Sequence, residues 1–393
     1  LNGSEVSYGD KTIEAVSDNG WYKVTGTFTT TGIGEQTEIG LKVTGEVTAF
    51  DVDNLQIELV SKGEDDSISG NDVPSESESE SGTSENIELN DPKYKEMGAK
   101  EINSEVEDIT PLKDVVLQGM NDDNFIMGAE VTGADMNDDM VMSLVKKHFN
   151  GITLGSELKL DSMIGRSCKG TQKVTLNDGS EVDVPVLTFT NADKYLDYFA
   201  GWNEAHPDQK IRIRGHVFVW HSQAPEWFFH EDYDANKAYV TPEVMNKRLE
   251  GYIKVMADHF TNRYPGLFYG WDVVNEAVSD NTGTYRNGDE NSSWWRVYNS
   301  NEFIINAFRY ANRYMPEDIM LFYNDYNDTT PRKVKGICQL ISDVKAHEND
   351  ADMPTRIDGF GMQAHYNVSS PSVEDFENAK KLIPANQIGR ASC

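Results

Sequence analysis

The sequence has 393 residues and a formal net charge of -31, from 66 acidic and 35 basic residues. Its length allows about two or three domains, and its negative charge disfavours nucleic acid and anionic membranes as partners, because both would repel the chain. No apolar stretch approaches the roughly 20 residues of a membrane span, and the three cysteines, Cys168, Cys338 and Cys393, suggest neither a disulfide framework nor a metal cluster.

Residues 1–61 carry the pattern of antiparallel strands. The chain begins Leu1-Asn2-Gly3, without a Met or a basic-then-apolar leader, so we expect a processed or excised part of a longer parent protein. From Gly20 to Leu59, apolar and polar residues alternate between Gly-containing turns, and this period of two is typical of a β-sandwich. Because a whole sandwich commonly needs about 100 residues, the segment predicts a partial β-sandwich module.

Residues 62–110 are acidic and poor in aromatic and β-branched residues, as the run SESESES at 75–81 illustrates. Such a segment cannot bury enough apolar surface to offset the entropy lost on ordering. The sequence therefore predicts an extended acidic Ser/Glu-rich linker that carries much of the net negative charge. A phosphorylated or calcium-binding segment is the alternative.

Residues 111–381 alternate short apolar strands with helical patterns, which indicates repeated βα units and an α/β fold with a parallel sheet. Six strands are predicted, at Phe125–Ala129, Phe149–Thr153, Ile211–Trp220, Tyr269–Val274, Met320–Tyr323 and Ile357–Met362. Apolar residues at three- and four-residue intervals predict helices over 137–148, 192–204, 242–262 and 300–315. A polar insertion around Asn177-Asp178-Gly179 predicts a hairpin.

Polar and aromatic side chains follow the predicted strands, where the catalytic groups of parallel barrels lie. They are Glu157 and Lys159; His216, Trp220, His221 and Gln223; Asn275 and Glu276; Asn324 to Asn327; and Gln363, His365 and Tyr366. Amides, carboxylates and imidazoles bond hydroxyl groups, and flat aromatic rings stack on sugar faces. Taken one at a time, each residue has an ordinary structural explanation. Together they predict a site for a polyhydroxylated ligand, with no metal and no cofactor.

Four motifs carry a family resemblance. They read GHVFVWHSQAPEW at 215–227, WDVVNE at 271–276, YNDYN at 323–327 and GFGMQAHY at 359–366. In this order they closely resemble the signatures of glycoside hydrolase family 10, whose typical members are endo-β-1,4-xylanases on a (β/α)₈ TIM barrel. The resemblance implies that residues 111–381 are an incomplete catalytic barrel with six of eight strands present. More weakly, residues 1–61 resemble the C-terminal half of a xylan-associated carbohydrate-binding module of the family 22 or family 4 type.

The resemblance also implies roles for individual residues. Glu276 would be the acid/base of a retaining hydrolysis, Asn275 would bond the sugar 2-hydroxyl, and His365 would orient the nucleophile. Gln363 and Tyr326 would complete the polar floor of the site. The glycone subsites, which hold the sugars on the non-reducing side of the cleaved bond, would be lined by Lys159, His216, Trp220 and Gln223. The wall or the core is the expected place for Trp227, Trp294 and Trp295.

The sequence departs from the family pattern at two places. The family nucleophile lies downstream of Gln363 in a Thr-Glu-aliphatic-Asp motif, which these 393 residues do not contain in that region. Residues 382–393 match nothing in the family and stay unassigned. Many members carry Glu-Asn at the positions of Gly155 and Ser156, where they hold a distal xylose, so this chain lacks the side chains that usually form that subsite.

The sequence therefore predicts that the parent is a secreted, modular endo-β-1,4-xylanase that acts by double displacement on xylan and xylo-oligosaccharides. Secretion is expected because the substrate is a polymer. Three alternatives stay open: an endo-β-glucanase or mixed-specificity enzyme of the same fold, a non-catalytic xylan-binding protein, and a chain end that is a cloning or reading-frame artefact. The 393-residue chain is expected to be inactive alone, because a double displacement requires two carboxyl groups.

Overall fold

The computed structural model describes residues 7–15, 22–29, 109–120, 124–367, 370–383 and 389–392. The chain divides into two compact units, Leu1–Ser84 and Glu85–Cys393. In the first unit, strands β1 (Ser7–Ala15) and β2 (Tyr22–Thr29) pair antiparallel, with Tyr8 opposite Phe28. The remaining predicted sandwich strands and the acidic linker up to residue 108 lie outside the described residues.

The second unit contains a parallel sheet that includes all six predicted strands. The strands of this unit are β3 (Gly128–Val131), β4 (Gly151–Leu154), β5 (Thr171–Thr175), β6 (Glu181–Pro185), β7 (Arg212–Trp220), β8 (Phe268–Asn275), β9 (Met320–Asp325), β10 (Gly359–Met362) and β11 (Gly389–Ser392). The sheet order is β11-β10-β9-β8-β7-β4-β3, and the six predicted strands form a curled half-barrel. This confirms the predicted (β/α)₈ class with six of its strands present.

The segment left unassigned by the sequence contributes a further strand. Strand β11 pairs parallel with β10, with Gly389 opposite Gly359 and Ser392 opposite Met362. It therefore occupies the position next to the sixth predicted strand.

Helices connect the strands, and the four predicted from periodicity are all present. The helices are α1 (Leu112–Met120), α2 (Asp139–His148), α3 (Leu160–Ile164), α4 (Thr190–Ala205), α5 (Pro242–Arg263), α6 (Ser293–Tyr298), α7 (Glu302–Tyr314), α8 (Pro331–Lys345) and α9 (Val373–Leu382). In α5, Pro242 occupies the first turn. Backbone N–H groups there have no partner within the helix, so the N–H that proline lacks costs no hydrogen bond. The Thr241 side chain accepts a hydrogen bond from the backbone N–H of Val244 and caps the helix.

The predicted hairpin is formed by β5 and β6. Gly179 has φ 80°, a conformation that favours glycine, and the backbone N–H of Leu176 donates to Ser180 O over 2.8 Å. Val174, Leu176 and Val184 make a small apolar cluster on the hairpin. A Cβ added to Gly251 of α5 would lie 2.7 Å from Val184 Cγ1, so the hairpin packs directly against that helix.

Close packing between β7 and β8 positions the strand ends of the site. A Cβ on Gly215 would lie 2.2 Å from the ring of Trp271, so only glycine fits opposite this fully buried side chain. Phe218 stacks on the same indole with ring centroids 4.6 Å apart. Strands β7 and β8 are therefore packed tightly against each other, and after a register shift between His216 and Val219 they bring Trp220 opposite Asn275.

No helix among the described residues is long and apolar enough to cross a membrane. Within the same part of the chain, no cluster of histidine, cysteine and acidic side chains could hold a metal ion. Cys168 and Cys338 form no disulfide with another residue that the structure describes.

Candidate active site

Glu276 lies where β8 ends, at the rim formed by the carboxyl ends of the parallel strands. Its backbone turns into the left-handed region with φ 54°. Two neighbours hold this turn: the Glu276 N–H donates to Asn324 O over 2.9 Å, and Arg286 Nε donates to Glu276 O over 3.0 Å. The turn thus projects the carboxylate from a rigid strand end, and its fixed hydrogen bonds offset the conformational cost.

The Glu276 carboxylate is half-buried and accepts one hydrogen bond on each oxygen. Trp220 Nε1 donates to Oε2 over 2.8 Å, and Gln363 Nε2 donates to Oε1 over 2.9 Å. The two donors come from β7 and from the residue after β10, on opposite sides of β8. A single rotamer of Glu276 is therefore favoured, as a positioned proton donor requires.

Asn275 is 2% exposed and belongs to the same network. Its Oδ1 accepts from Asn324 Nδ2 over 2.9 Å and from Gln363 Nε2 over 3.1 Å. Its Nδ2 group donates no hydrogen bond within the described ranges. Asn275 thus offers a donor beside the Glu276 carboxylate.

His216 is oriented by a buried ion pair. Its Nδ1 lies 2.8 Å from Asp272 Oδ2, and the other oxygen of Asp272 accepts from Arg214 Nε over 3.0 Å and from a terminal guanidinium nitrogen over 2.6 Å. Burial alone would raise the pKa of Asp272, but Arg214 and His216 outweigh that effect and hold the pKa below its ordinary value. The anchored Nδ1 leaves Nε2 of His216 for contacts on the rim.

Lys159 and Gln223 lie near Trp220. Lys159 Nζ is 5.0 Å from the centroid of the Trp220 ring, within range of a cation–π contact. Burial lowers the pKa of Lys159, and among the acidic groups Glu130 opposes that shift most strongly. Gln223, at φ 48°, faces Asp161 instead: its backbone carbonyl accepts from the Asp161 N–H over 3.0 Å, and its Nε2 lies 3.4 Å from Asp161 Oδ2.

Tyr326 belongs to a charged cluster behind Glu276 that the sequence analysis did not identify. Its hydroxyl donates to Asp280, and Arg286, which holds the Glu276 backbone, lies 3.4 Å from both side chains. Lys333, only 1% exposed, donates to Val278 O over 2.6 Å and contacts Asp280 and Asp325 at 3.0 Å. These charges compensate one another and fix the loop after β8.

The cluster makes stability depend on pH. Burial tends to raise the pKa of Asp280, but hydrogen bonds from Tyr326, Lys333 and Asn327 lower it to about 2, below the unfolded value of about 3.9. The folded carboxylate therefore stabilises the protein above about pH 4, and that stabilisation is lost as the pH falls towards 2.

Asp280→Asn should lower the free energy of unfolding at pH 7 by about 1–2 kcal/mol, allowing for partial exposure of the side chain. It should also weaken the pH dependence between 4 and 2, measured by urea unfolding. Asp289→Asn, an exposed aspartate on the same loop, is the matched control. An unchanged slope in Asp280→Asn would contradict the assigned role. The pH slopes are compared below pH 4 because burial raises the pKa of Asp325 to about 6. Above pH 4, protonation of Asp325 stabilises the fold as the pH falls, which is opposite to the effect of protonating Asp280.

His365 is exposed, and its Nε2 lies 3.1 Å from Gln363 Oε1. Within the described part of the chain, it contacts no carboxylate. Its expected role beside a nucleophile is therefore untested and stays a prediction.

Two of the three tryptophans that were expected in the wall or core are buried. Trp227 is 6% exposed and Trp294 is 1% exposed, and both belong to the main apolar core. Trp294 Nε1 donates to Trp220 O over 3.0 Å, so it supports the residue that bonds Glu276. Trp295 is half-buried and stacks near Tyr285, with ring centroids 6.2 Å apart.

Residues 116–387 match the family model described as glycosyl hydrolase family 10. The bifunctional endo-1,4-β-xylanase XylA of Ruminococcus flavefaciens is 34% identical over 266 residues, which cover 67% of this chain and 25% of that protein. Endo-1,4-β-xylanase Y of Acetivibrio thermocellus is 32% identical over 278 residues, covering 68% of this chain and 24% of that protein. The chain thus spans about a quarter of the length of these relatives.

Solved structures are similar over a comparable share of the chain. The N-terminal xylanase 10B modules of Clostridium thermocellum, complexed with xylohexaose, have a TM-score of 0.60 at 29% identity, covering 72% of this chain and 52% of theirs. The intracellular xylanase of Thermoanaerobacterium saccharolyticum has a TM-score of 0.56 at 28% identity, covering 72% of this chain and 76% of its own.

Proposed function

The chain belongs to glycosyl hydrolase family 10, and we propose that its parent protein is an endo-β-1,4-xylanase that cleaves the xylan backbone with retention of configuration. The observation that carries this proposal is the Glu276 carboxylate, held at the end of β8 by Trp220 and Gln363 beside the Asn275 amide. A carboxyl group fixed in this way can protonate the leaving oxygen of a glycosidic bond.

In this proposal the first step needs two carboxyl groups about 5–5.5 Å apart. Glu276 protonates the glycosidic oxygen while a nucleophilic carboxylate attacks the anomeric carbon, so the C–O bond breaks and a glycosyl-enzyme forms. Water, deprotonated by Glu276, then displaces the carboxylate. Asn275 donates to the sugar 2-hydroxyl, a bond that strengthens in the transition state.

The other rim residues would bind the substrate. His216, fixed by Asp272, and Lys159, above Trp220, would bond hydroxyls of the glycone sugars. Trp220 would contribute an apolar surface as well as its bond to Glu276. Tyr326 and Gln363 would complete the polar floor, and His365 would orient the nucleophile. Gln223, which faces Asp161, would contact sugar only after turning from that partner.

The xylan-binding module and extracellular location belong to the same proposal. A polymer too large to enter a cell favours secretion. Residues 1–61 would bind xylan, and residues 62–110 would tether that module to the barrel. Such tethering raises the effective concentration of enzyme on insoluble polymer and leaves soluble substrates unaffected.

One assay series tests these claims. The full-length parent should cut the backbone of xylan internally, with much lower turnover on a mixed-linkage β-glucan. Deleting residues 1–88 should lower activity on insoluble xylan only, with soluble xylo-oligosaccharides as the control. Equal turnover on glucan would favour the glucanase alternative, and lower turnover on the soluble oligosaccharides would contradict the module and linker assignment. Activity in the cell-free medium, compared with a cytosolic marker, tests secretion.

A non-catalytic xylan-binding protein is the second candidate. Within these 393 residues, no Thr-Glu-aliphatic-Asp motif follows Gln363, so the chain itself does not display the nucleophile. Xylan binding by the full-length parent without any release of reducing sugar would establish this alternative.

A further inference from the structure

A row of side chains leads from Glu276 across four neighbouring strands. It runs from the end of β8 through Trp220 of β7 and Lys159, which follows β4, to Glu130 of β3. Each member interacts with the next. Trp220 donates to Glu276 over 2.8 Å, Lys159 Nζ lies 5.0 Å from the Trp220 ring, and Glu130 is the acidic group that most favours the charge on Lys159. The row therefore extends the candidate site towards β3.

Glu130 occupies space that is open because residue 155 is glycine. A Cβ added to Gly155 would lie 2.6 Å from Glu130 Oε1 and 3.6 Å from its Cδ. The two strands are paired here, with Glu130 opposite Thr153, and the Gly155 N–H donates to Val131 O over 3.1 Å. The Glu130 carboxylate thus lies directly over the backbone of Gly155, which follows β4.

Both charged groups at the end of the row are available to a ligand. Glu130 is exposed and Lys159 is half-buried, and neither side chain makes a hydrogen bond within the ranges that the structure describes. A carboxylate only accepts hydrogen bonds and an ammonium group only donates them, whereas a sugar hydroxyl does both. Neighbouring hydroxyls of one neutral sugar can satisfy both groups, while a uronic acid would be repelled by Glu130.

We propose that Glu130 is the hydroxyl acceptor of a glycone subsite at the far end of this row, where it acts with Lys159 to bind an undecorated xylose unit. The inference rests on the proposed function, which places the cleaved bond at Glu276. It makes Glu130 a specificity-determining residue that favours neutral over acidic sugars.

Two variants test the Glu130 carboxylate in different ways. Glu130→Gln keeps the shape and removes the charge, and Gly155→Ala keeps the charge but fills the space under Oε1. Because the Glu130 side chain is flexible, the methyl group added at position 155 can push its carboxylate aside without disturbing the strands. Glu181→Gln removes an equal charge from the exposed edge of the hairpin and is the matched control. Thermal unfolding of all three variants shows whether the fold is retained.

Calorimetry on the 393-residue chain measures two ligands: xylotetraose, and xylotetraose with glucuronic acid on its non-reducing terminal unit. Glu130→Gln should weaken xylotetraose binding about fivefold, the difference between a charged and a neutral hydrogen bond. The same change should leave the acidic ligand unweakened or bound more tightly. Gly155→Ala should also weaken xylotetraose, and Glu181→Gln should change neither.

Wild-type affinity for both ligands in both variants would overturn the Glu130 assignment while leaving the proposed function intact. An equal loss for the neutral and acidic ligands would overturn it as well, because a general disturbance of the site does not distinguish charge. Absence of any xylo-oligosaccharide binding by the unsubstituted chain would contradict the proposed function and the inference together.

Discussion

Glu276→Gln in the full-length parent should lower turnover on xylan by about a thousandfold or more, towards the upper range for loss of a general acid. The amide can still accept from Trp220 through its oxygen, so the local geometry should be largely kept. It cannot protonate the poor leaving group of a natural glycosidic bond. An activated aryl xyloside needs no proton for departure, and its glycosylation rate should therefore fall far less.

The measurement is pre-steady-state and steady-state turnover on both substrates, with Glu377→Gln on the surface of α9 as a matched control. The ratio of the two losses is the informative quantity. If xylan and the aryl xyloside lose activity equally, Glu276 is not the general acid.

The 393-residue chain alone should show no measurable xylan hydrolysis. Double displacement needs a second carboxyl group about 5–5.5 Å from the first, and the sequence after Gln363 supplies no Thr-Glu-aliphatic-Asp motif for it. Binding of xylo-oligosaccharides should survive, because Asn275, Glu276, His216 and Lys159 are all in place. Release of reducing sugar from xylan, with and without residues 382–393 replaced by a strand carrying that motif, provides the assay.

In that assay, the replacement should restore hydrolysis, and changing its glutamate to glutamine should remove it again while leaving binding unchanged. Hydrolysis by the unmodified 393-residue chain would mean that another carboxylate acts as the nucleophile.

Sequence patterns predicted the strands and the strand ends at which the candidate site lies. The run 271–274 is apolar except for Asp272 and is followed by Asn275 and Glu276. The structure places Asn275 at the end of the buried strand β8 and Glu276 directly after it, at the rim. The first strand was predicted at Phe125 but begins at Gly128, because an edge strand has pairing on one side only and its apolar run exceeds its hydrogen-bonded length. Strand β11 has four residues without a repeating apolar pattern, which is too short for periodicity to reveal.

Contacts between distant segments were not predictable in the same way. Lys333 looks like any charged residue near the start of an amphipathic helix, yet it is buried against two aspartates from two other segments. Likewise, the absence of a side chain at Gly155 suggests a weakened subsite in the sequence, whereas the structure places Glu130 over that glycine. Such pairs depend on which strands and loops become neighbours, and a local pattern does not encode that information.

The configuration of the first product tests the retaining mechanism most directly. Proton NMR of xylo-oligosaccharide hydrolysis by the full-length parent distinguishes the anomers before they equilibrate by mutarotation. With Glu276 as the acid/base of a double displacement, the β-anomer should accumulate first, and the Glu276→Gln variant should produce neither anomer at a comparable rate. First appearance of the α-anomer would show single displacement by water and would contradict the proposed mechanism.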